Sequence, residues 1–169
     1  TMKNSIEITP MDHPVDADIR VPGSKSYTNR ALIIAALANG KTHLTGALKS
    51  DDTQYMSKCL NDLGIVVEEC GDEEFIIHGT NGHIPARDGD LFVGNSGTTA
   101  RFLTALTSLG TGRYRIDGVP RMRQRPIQDL LDGLSKLGVQ PATELNNGCP
   151  PLRIVSTGIR GGSTRLPGG

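Results

Sequence analysis

Between Ala31 and Ala38 the chain runs eight residues without a polar side chain, its longest apolar stretch. Apolar positions spaced three and four apart over Lys25 to Ala38, and again over Gly97 to Leu109, predict two helices. A glycine stands just beyond each, Gly40 and Gly110, as helix ends favour. A short strand is expected after each helix, Thr42 to Leu48 and Arg113 to Asp117. A second helix then starts near Ser50, an N-cap residue type, with Asp51 and Asp52 suited to the positive helix end. Its counterpart starts at Pro126, a residue type suited to the first helical turn. Both second helices are expected to stop at Leu-Gly, and a hairpin follows each. Ile65 to Glu69 turns through Gly71-Asp72 into Phe75 to His78, and Val139 to Leu145 turns through Asn146-Asn147-Gly148 into Leu152 to Val155. Short strands at Ile19 to Val21 and Leu91 to Val93 lead into the two first helices.

That order of elements occurs twice, and the residues agree. Gly23, Thr28, Arg30 and Leu32 fall on Gly94, Thr99, Arg101 and Leu103 at an offset of 71 (94 − 23). Leu60-Asn-Asp-Leu63-Gly64-Ile65 falls on Leu134-Ser-Lys-Leu137-Gly138-Val139 at 74 (134 − 60), as a longer loop in the second copy would give. Duplication is the better reading. The expected fold class is α/β, built of repeated β-α-β-α-β-β units, of which two are present.

Composition narrows the function classes. Eighteen basic residues balance 18 acidic ones, so no extended nucleic-acid surface is expected, although a local basic pocket is compatible. Only six aromatics, three Tyr and three Phe, argue against base stacking. No apolar run approaches the ~18 residues of a membrane span, and no signal-peptide pattern opens the chain, so a cytoplasmic protein without membrane partners is expected. Thr1 ahead of Met2 reads as an added residue. Cys59, Cys70 and Cys149 lack metal spacing and read as reduced thiols.

A strand ending in a glycine-rich loop that opens a helix offers free backbone N–H groups and a positive dipole end, a ready anion site. The first such turn, Pro22-Gly23-Ser24-Lys25-Ser26, adds an ammonium and two hydroxyls, with Arg30 about a turn further on. It lacks the leading Gly and four-residue spacer of a P-loop. Read alone, Lys25 and Arg30 divide evenly between ligand binding and a solvated helix start. The second turn, Gly94-Asn95-Ser96-Gly97-Thr98-Thr99, carries no cation, and a simple cap at Ser96 is its plainer reading. A third segment, Arg121-Met-Arg123-Gln-Arg125, concentrates guanidinium groups suited to phosphate or carboxylate, a solvated loop being the alternative. If the copies are duplicates, both turns face one side and Lys25, Arg30 and Arg125 converge there. His13, His43, His78 and His83 are scattered, and Asp51-Asp52 is explained more simply by a helix N-terminus than by acid–base pairing.

Four segments together carry a resemblance. Val21-Pro-Gly-Ser-Lys-Ser-Tyr-Thr-Asn-Arg-Ala-Leu32, Ser50-Asp-Asp-Thr53, Gly94-Asn-Ser-Gly-Thr-Thr-Ala-Arg101 and Arg121-Met-Arg-Gln-Arg-Pro-Ile127 are similar to the 5-enolpyruvylshikimate-3-phosphate (EPSP) synthase family, in its order and across nearly the whole chain. The sister enolpyruvyl transferases acting on UDP-N-acetylglucosamine carry Lys-Asn where this chain has Lys25-Ser26. The resemblance implies an inside-out α/β barrel. It also implies transfer of the enolpyruvyl group of phosphoenolpyruvate to the 5-hydroxyl of shikimate 3-phosphate with release of phosphate, in chorismate and aromatic amino acid biosynthesis. By it, Lys25 touches both substrates, Ser26 and Arg30 hold shikimate 3-phosphate, and Asn95, Gly97 and Arg125 form the phosphoenolpyruvate side. Neither metal nor organic cofactor is implied.

The resemblance also sets expectations about extent. The family's chains are more than twice as long, with two domains of three units each. Residues 1–20 then read as the opening segment of one discontinuous domain, 21–93 as the first unit of the other and 94–169 as its second unit, the chain stopping at Pro167-Gly168-Gly169. The third unit and the acid–base residues are expected elsewhere. The chain by itself is therefore expected to be inactive, as a half-site holding shikimate 3-phosphate or as one piece needing a complementary C-terminal fragment. Phe102 stands where several bacterial members have Pro behind the glyphosate-sensitive wall, although Gly97 is retained.

Overall fold

The computed structural model describes residues 6–166, so the expectations about Thr1, Met2 and Pro167 to Gly169 lie outside the described residues. In chain order the elements are α1 (Lys25–Leu37), β1 (Asn39–Leu44), α2 (Asp51–Asp62), β2 (Val67–Cys70) and β3 (Glu74–Thr80). Then follow β4 (Asp88–Phe92), α3 (Gly97–Thr107), β5 (Thr111–Asp117), one 3-10 turn (Met122–Gln124), α4 (Gln128–Ser135), β6 (Gln140–Thr143) and β7 (Leu152–Thr157). The strands form two sheets, β1-β3-β2 and β4-β5-β7-β6. All pairings are antiparallel except β4 with β5, which is parallel. The fold is α/β.

Apolar alternation explains which face each strand buries. Along β7, Leu152, Ile154 and Ser156 are buried while Arg153, Val155 and Thr157 are exposed. Phe75 and Ile77 of β3 and Tyr114 and Ile116 of β5 point inward in the same way. They meet Leu32 of α1, Leu60 of α2 and Leu103 of α3 in one continuous core. Within α1 the buried positions are Thr28, Asn29, Leu32, Ala35 and Ala36. Shifted by 71 they become Thr99, Ala100, Leu103, Leu106 and Thr107, all buried in α3. The helices α1 and α3 thus bury matching faces, although α1 begins one residue earlier in that register.

Helix ends correspond too. Gly64 and Gly138 take φ of +80° and +92°, a region that costs glycine little. The amide of Ile65 donates to Leu60 and that of Gly64 to Asn61; Val139 to Leu134 and Gly138 to Ser135 repeat the pair, so α2 and the turn after α4 close with the same Schellman motif.

Several expected elements differ in extent, the strand expected at Leu91 to Val93 among them (observed Asp88–Phe92), and one is absent. The second helix of the second copy begins at Gln128 rather than Pro126, because Ile127 is not helical (φ −139°). Its amide is held by the carbonyl of Gly148 at 2.8 Å, and its side chain is in the core. The strand after α1 is Asn39–Leu44, absorbing Gly40 and ending before residue 48. Ile19 to Val21 is no strand: both end residues are more than three-quarters exposed, and the segment has no ladder partner among the described residues. In the second copy, β4 gains that pairing from β5. No helix among the described residues is long and apolar enough to cross a membrane.

Candidate anion site

Hydroxyl groups lace three helix N-termini together. The Thr28 hydroxyl on α1 accepts from the amide of Leu48 at 3.0 Å, and the Thr53 hydroxyl on α2 donates to the Leu48 carbonyl at 2.9 Å. Thr53 also accepts from the Ser50 amide at 2.9 Å, which closes the first turn of α2. The Thr99 hydroxyl on α3 donates to the Asp52 carbonyl at 3.1 Å. All three threonines are buried. Ser24 and Ser96 cap α1 and α3 by accepting from Tyr27 and Thr99.

The N-termini so tied open on one cleft of about 460 Å³, lined by Lys25 of α1, Asp51, Asp52 and Tyr55 of α2, and Gly97 and Thr98 of α3. Asn95, Val119 and Arg125 complete it. The glycine-rich loop before α3 is held against the loop after β5. Val93 donates to Asp117 at 2.8 Å and Val119 to Gly94 at 3.0 Å. Gly94 has φ of +55°, and a Cβ there would collide with the Tyr55 ring, which packs edge-on against Phe92.

The sequence candidates divide. Lys25, Asn95, Gly97 and Arg125 line this cleft together. Arg125 lies flat over Gly97, where a Cβ would stand 2.5 to 2.9 Å from its guanidinium atoms. Its Nη1 donates to the Asn95 carbonyl at 2.9 Å. Ser26 and Arg30 lie outside the lining: both are exposed, Arg30 Nη1 donates to the Ser26 carbonyl at 3.0 Å, and its guanidinium sits 5.8 Å from the Phe102 ring centroid. Arg30 is therefore not among the side chains that line the cleft with Lys25 and Arg125. Its counterpart Arg101 makes the equivalent bond to Gly97.

The Arg121–Arg125 segment is also less concentrated than its sequence. Arg121 bonds to Gln124, and Arg123 forms a two-point pair with Asp117 at 3.0 and 2.7 Å. Among the described residues, Arg125 has no carboxylate partner. Lys25 does, with Nζ 3.2 Å from Asp52 Oδ2. That pair is half-exposed on the Lys side and contributes little net energy, so an incoming anion can take the ammonium over. Two cations and two carboxylates leave the cleft's side chains formally neutral, and the helix N-termini tip its field positive.

Beneath the cleft, burial alone would raise the Asp117 carboxyl, but bonds from Arg123, the Gly118 amide and Arg115 outweigh it and hold the group below the ordinary carboxylate range. Arg115 and then Arg153 lower Glu144 in the same way. Burial pushes the Cys59 thiol up to about 12, which leaves it an inert core group. A larger groove of about 840 Å³ crosses the outer face of the second sheet, but there Arg115 and Arg153 are already paired with carboxylates. No cluster of three or more metal-ligating side chains occurs among the described residues.

Sequence reasoning does not name Asp51, Asp52, Tyr55, Thr98 or Val119 as site residues. Asp52 carried a signal in Ser50-Asp-Asp-Thr53, which helix capping explained too easily. Tyr55 and Val119 carried none.

Known proteins bear on this arrangement. Residues 10–168 match the EPSP synthase (3-phosphoshikimate 1-carboxyvinyltransferase) family. A 3-phosphoshikimate 1-carboxyvinyltransferase from Nostoc punctiforme is 49% identical over 161 residues, which are 95% of this chain and 38% of that protein. The solved EPSP synthase from Acinetobacter baumannii superposes with a TM-score of 0.80 at 31% identity, over 88% of this chain and 34% of that one. The enolpyruvyl transferase NikO from Streptomyces tendae, at 20% identity and a TM-score of 0.58 over 88% of this chain and 32% of that one, shares the fold. The chain thus spans under two-fifths of the length of the curated relative it matches. Across nearly all of its own length, the chain belongs to the EPSP synthase (3-phosphoshikimate 1-carboxyvinyltransferase) family.

Proposed function

We propose that this chain supplies the phosphoenolpyruvate side, and part of the shikimate 3-phosphate side, of a 3-phosphoshikimate 1-carboxyvinyltransferase. The reaction joins the 5-hydroxyl oxygen of shikimate 3-phosphate to the enol carbon of phosphoenolpyruvate by addition across its C=C bond, as the hydroxyl proton leaves and the methylene carbon gains a proton. Elimination then removes a proton from that methyl carbon, restores the C=C bond and breaks the enol carbon's bond to the phosphate oxygen, releasing phosphate. One observation carries the reading: three helix N-termini, Lys25 and Arg125 meet at one cleft, in a chain of this family. A doubly or triply charged substrate needs such converging donors, and fixed donors cost no reorganisation as charge develops.

In this reading Arg125 grips the carboxylate or phosphate of phosphoenolpyruvate, with Asn95 and Gly97 as the wall that shapes its approach. Lys25 leaves Asp52 to bridge the two substrates. Arg30 and Ser26 bind shikimate 3-phosphate from outside the cleft. The division into units at 21–93 and 94–169, with 1–20 belonging to another domain, belongs to the same proposal, as does a cytoplasmic setting.

Arg125→Ala tests it. In a complete synthase carrying this segment, the substitution raises the phosphoenolpyruvate KM roughly tenfold or more, the loss expected for a charge-assisted bidentate contact. The shikimate 3-phosphate KM changes less. An unchanged phosphoenolpyruvate KM at normal turnover contradicts the reading.

A further inference from the structure

Among the described residues Arg125 has no carboxylate partner, and its own contacts do not explain why its loop holds one shape. Its guanidinium has one hydrogen bond among the described residues, to the Asn95 carbonyl, and it rests on a glycine with no side chain to steer it. The restraint comes from two residues back. Arg123 and Arg125 flank Gln124 at the end of the 3-10 turn Met122–Gln124, which closes through the Arg125 amide to Met122 at 3.0 Å. Met122 is buried, and a Cβ on Gly118 would strike its side chain, so the loop lies tightly over its own start.

Asp117 stands at that start and is nearly fully buried. Its Oδ1 accepts from the Gly118 amide at 2.8 Å and Arg123 Nε at 3.0 Å. Its Oδ2 accepts from Arg123 Nη2 at 2.7 Å and Arg115 Nη2 at 3.0 Å. Four donors thus fill one carboxylate, and its backbone is fixed by the β4 pairing through Val93. The fork geometry of Arg123 leaves it one orientation against such a partner. Resting on the reading of Arg125 above, we propose that Asp117 is a positioning residue for phosphoenolpyruvate binding, clamping Arg123 so that the turn delivers Arg125 over Gly97. The same clamp neutralises Arg123 and keeps it from competing for the anion.

The test is a double-mutant cycle on this chain, titrating phosphoenolpyruvate and following amide NMR shifts. Asp117→Asn is expected to weaken binding about fivefold or more, within the coupling range of residues in one network. Arg123→Gln, on a half-exposed side chain, is expected to weaken it in the same direction. Neither change is expected to weaken binding further in an Arg125→Ala background, which a merely structural role would not predict. Equal losses with and without Arg125 overturn the proposal, as does unchanged binding in both clamp variants while Arg125→Ala alone weakens it. If Arg125→Ala itself leaves binding unchanged, the reading of the site fails first and takes the clamp with it.

Discussion

Gly97 shows how much one missing side chain decides. An added methyl would fall 2.5 to 2.9 Å from the Arg125 guanidinium, the far end of a flexible side chain, so the chain can fold and the guanidinium must leave. If Arg125 grips phosphoenolpyruvate as proposed, Gly97→Ala is expected to lower that affinity roughly tenfold, as losing a charge-assisted contact would, with an unchanged unfolding midpoint. Calorimetric titration beside a thermal melt checks it; unchanged affinity contradicts the stacked geometry. At this scale the sequence was only partly legible. Read from the residues alone, Lys25 divides evenly between a ligand and a solvated helix start, and it is the family resemblance that names Gly97 and Arg125, because a surface cation or a loop glycine has many ordinary uses. The Arg121–Arg125 segment reads as one concentration of charge because spacing along a chain does not reveal which guanidinium already has a carboxylate, as Arg123 has in Asp117. Asp52 looked like a helix charge, and it is one, while also holding Lys25.

Among the elements, the register of the helices matters more than their existence. Threonines Thr28, Thr53 and Thr99 use hydroxyls to bind loop and helix backbone, and this brings three N-termini to one opening. Replacing Thr53 with Val keeps the shape and removes the bonds to the Ser50 amide and Leu48 carbonyl. Thr53→Val is expected to cost about 1–3 kcal/mol, the penalty of a buried polar group left unpaired, and urea unfolding measures it. No loss would mean that α2 needs no such lacing. Apolar spacing gave away α1 and α3 because each buries one face, the Ser50 cap with Asp51 and Asp52 gave away the start of α2, and Leu-Gly gave away both helix ends. The start of α4 was hidden: Pro126 invites a helix, but Ile127 is claimed by the Gly148 carbonyl and the core. The strand expected at Ile19 to Val21 has the alternation and lacks a neighbour, and pairing is a property of the fold rather than of the segment.

Across the whole molecule, the second sheet carries a charge network that the first lacks in that form. Glu144 accepts from Arg115 Nε and Nη2 at 3.0 and 3.2 Å and from Arg153 at 2.8 Å. Because these bonds hold its folded value below the ordinary carboxylate range, its stabilisation is present at neutral pH. It is lost as pH falls from about 4 through the lowered folded value. Glu144→Gln is expected to be less stable than the parent at pH 7, with the gap closing on acidification; urea midpoints at pH 7, 5 and 3 check the sign. A gap that stays constant would mean that the network is not electrostatic.

The claim on which the rest depends is that the cleft between α1, α2 and α3 binds anions through Lys25, Arg125 and the helix N-termini. Titration of this chain with inorganic phosphate, followed by amide and guanidinium NMR shifts, tests it most directly. The account predicts shifts at Lys25, Gly97, Thr98 and Arg125, saturation that weakens as salt rises, and loss of binding when Lys25 and Arg125 are both replaced by Ala. Shifts confined to the outer sheet face around Arg87 and Arg113, with the cleft amides unmoved, would contradict it.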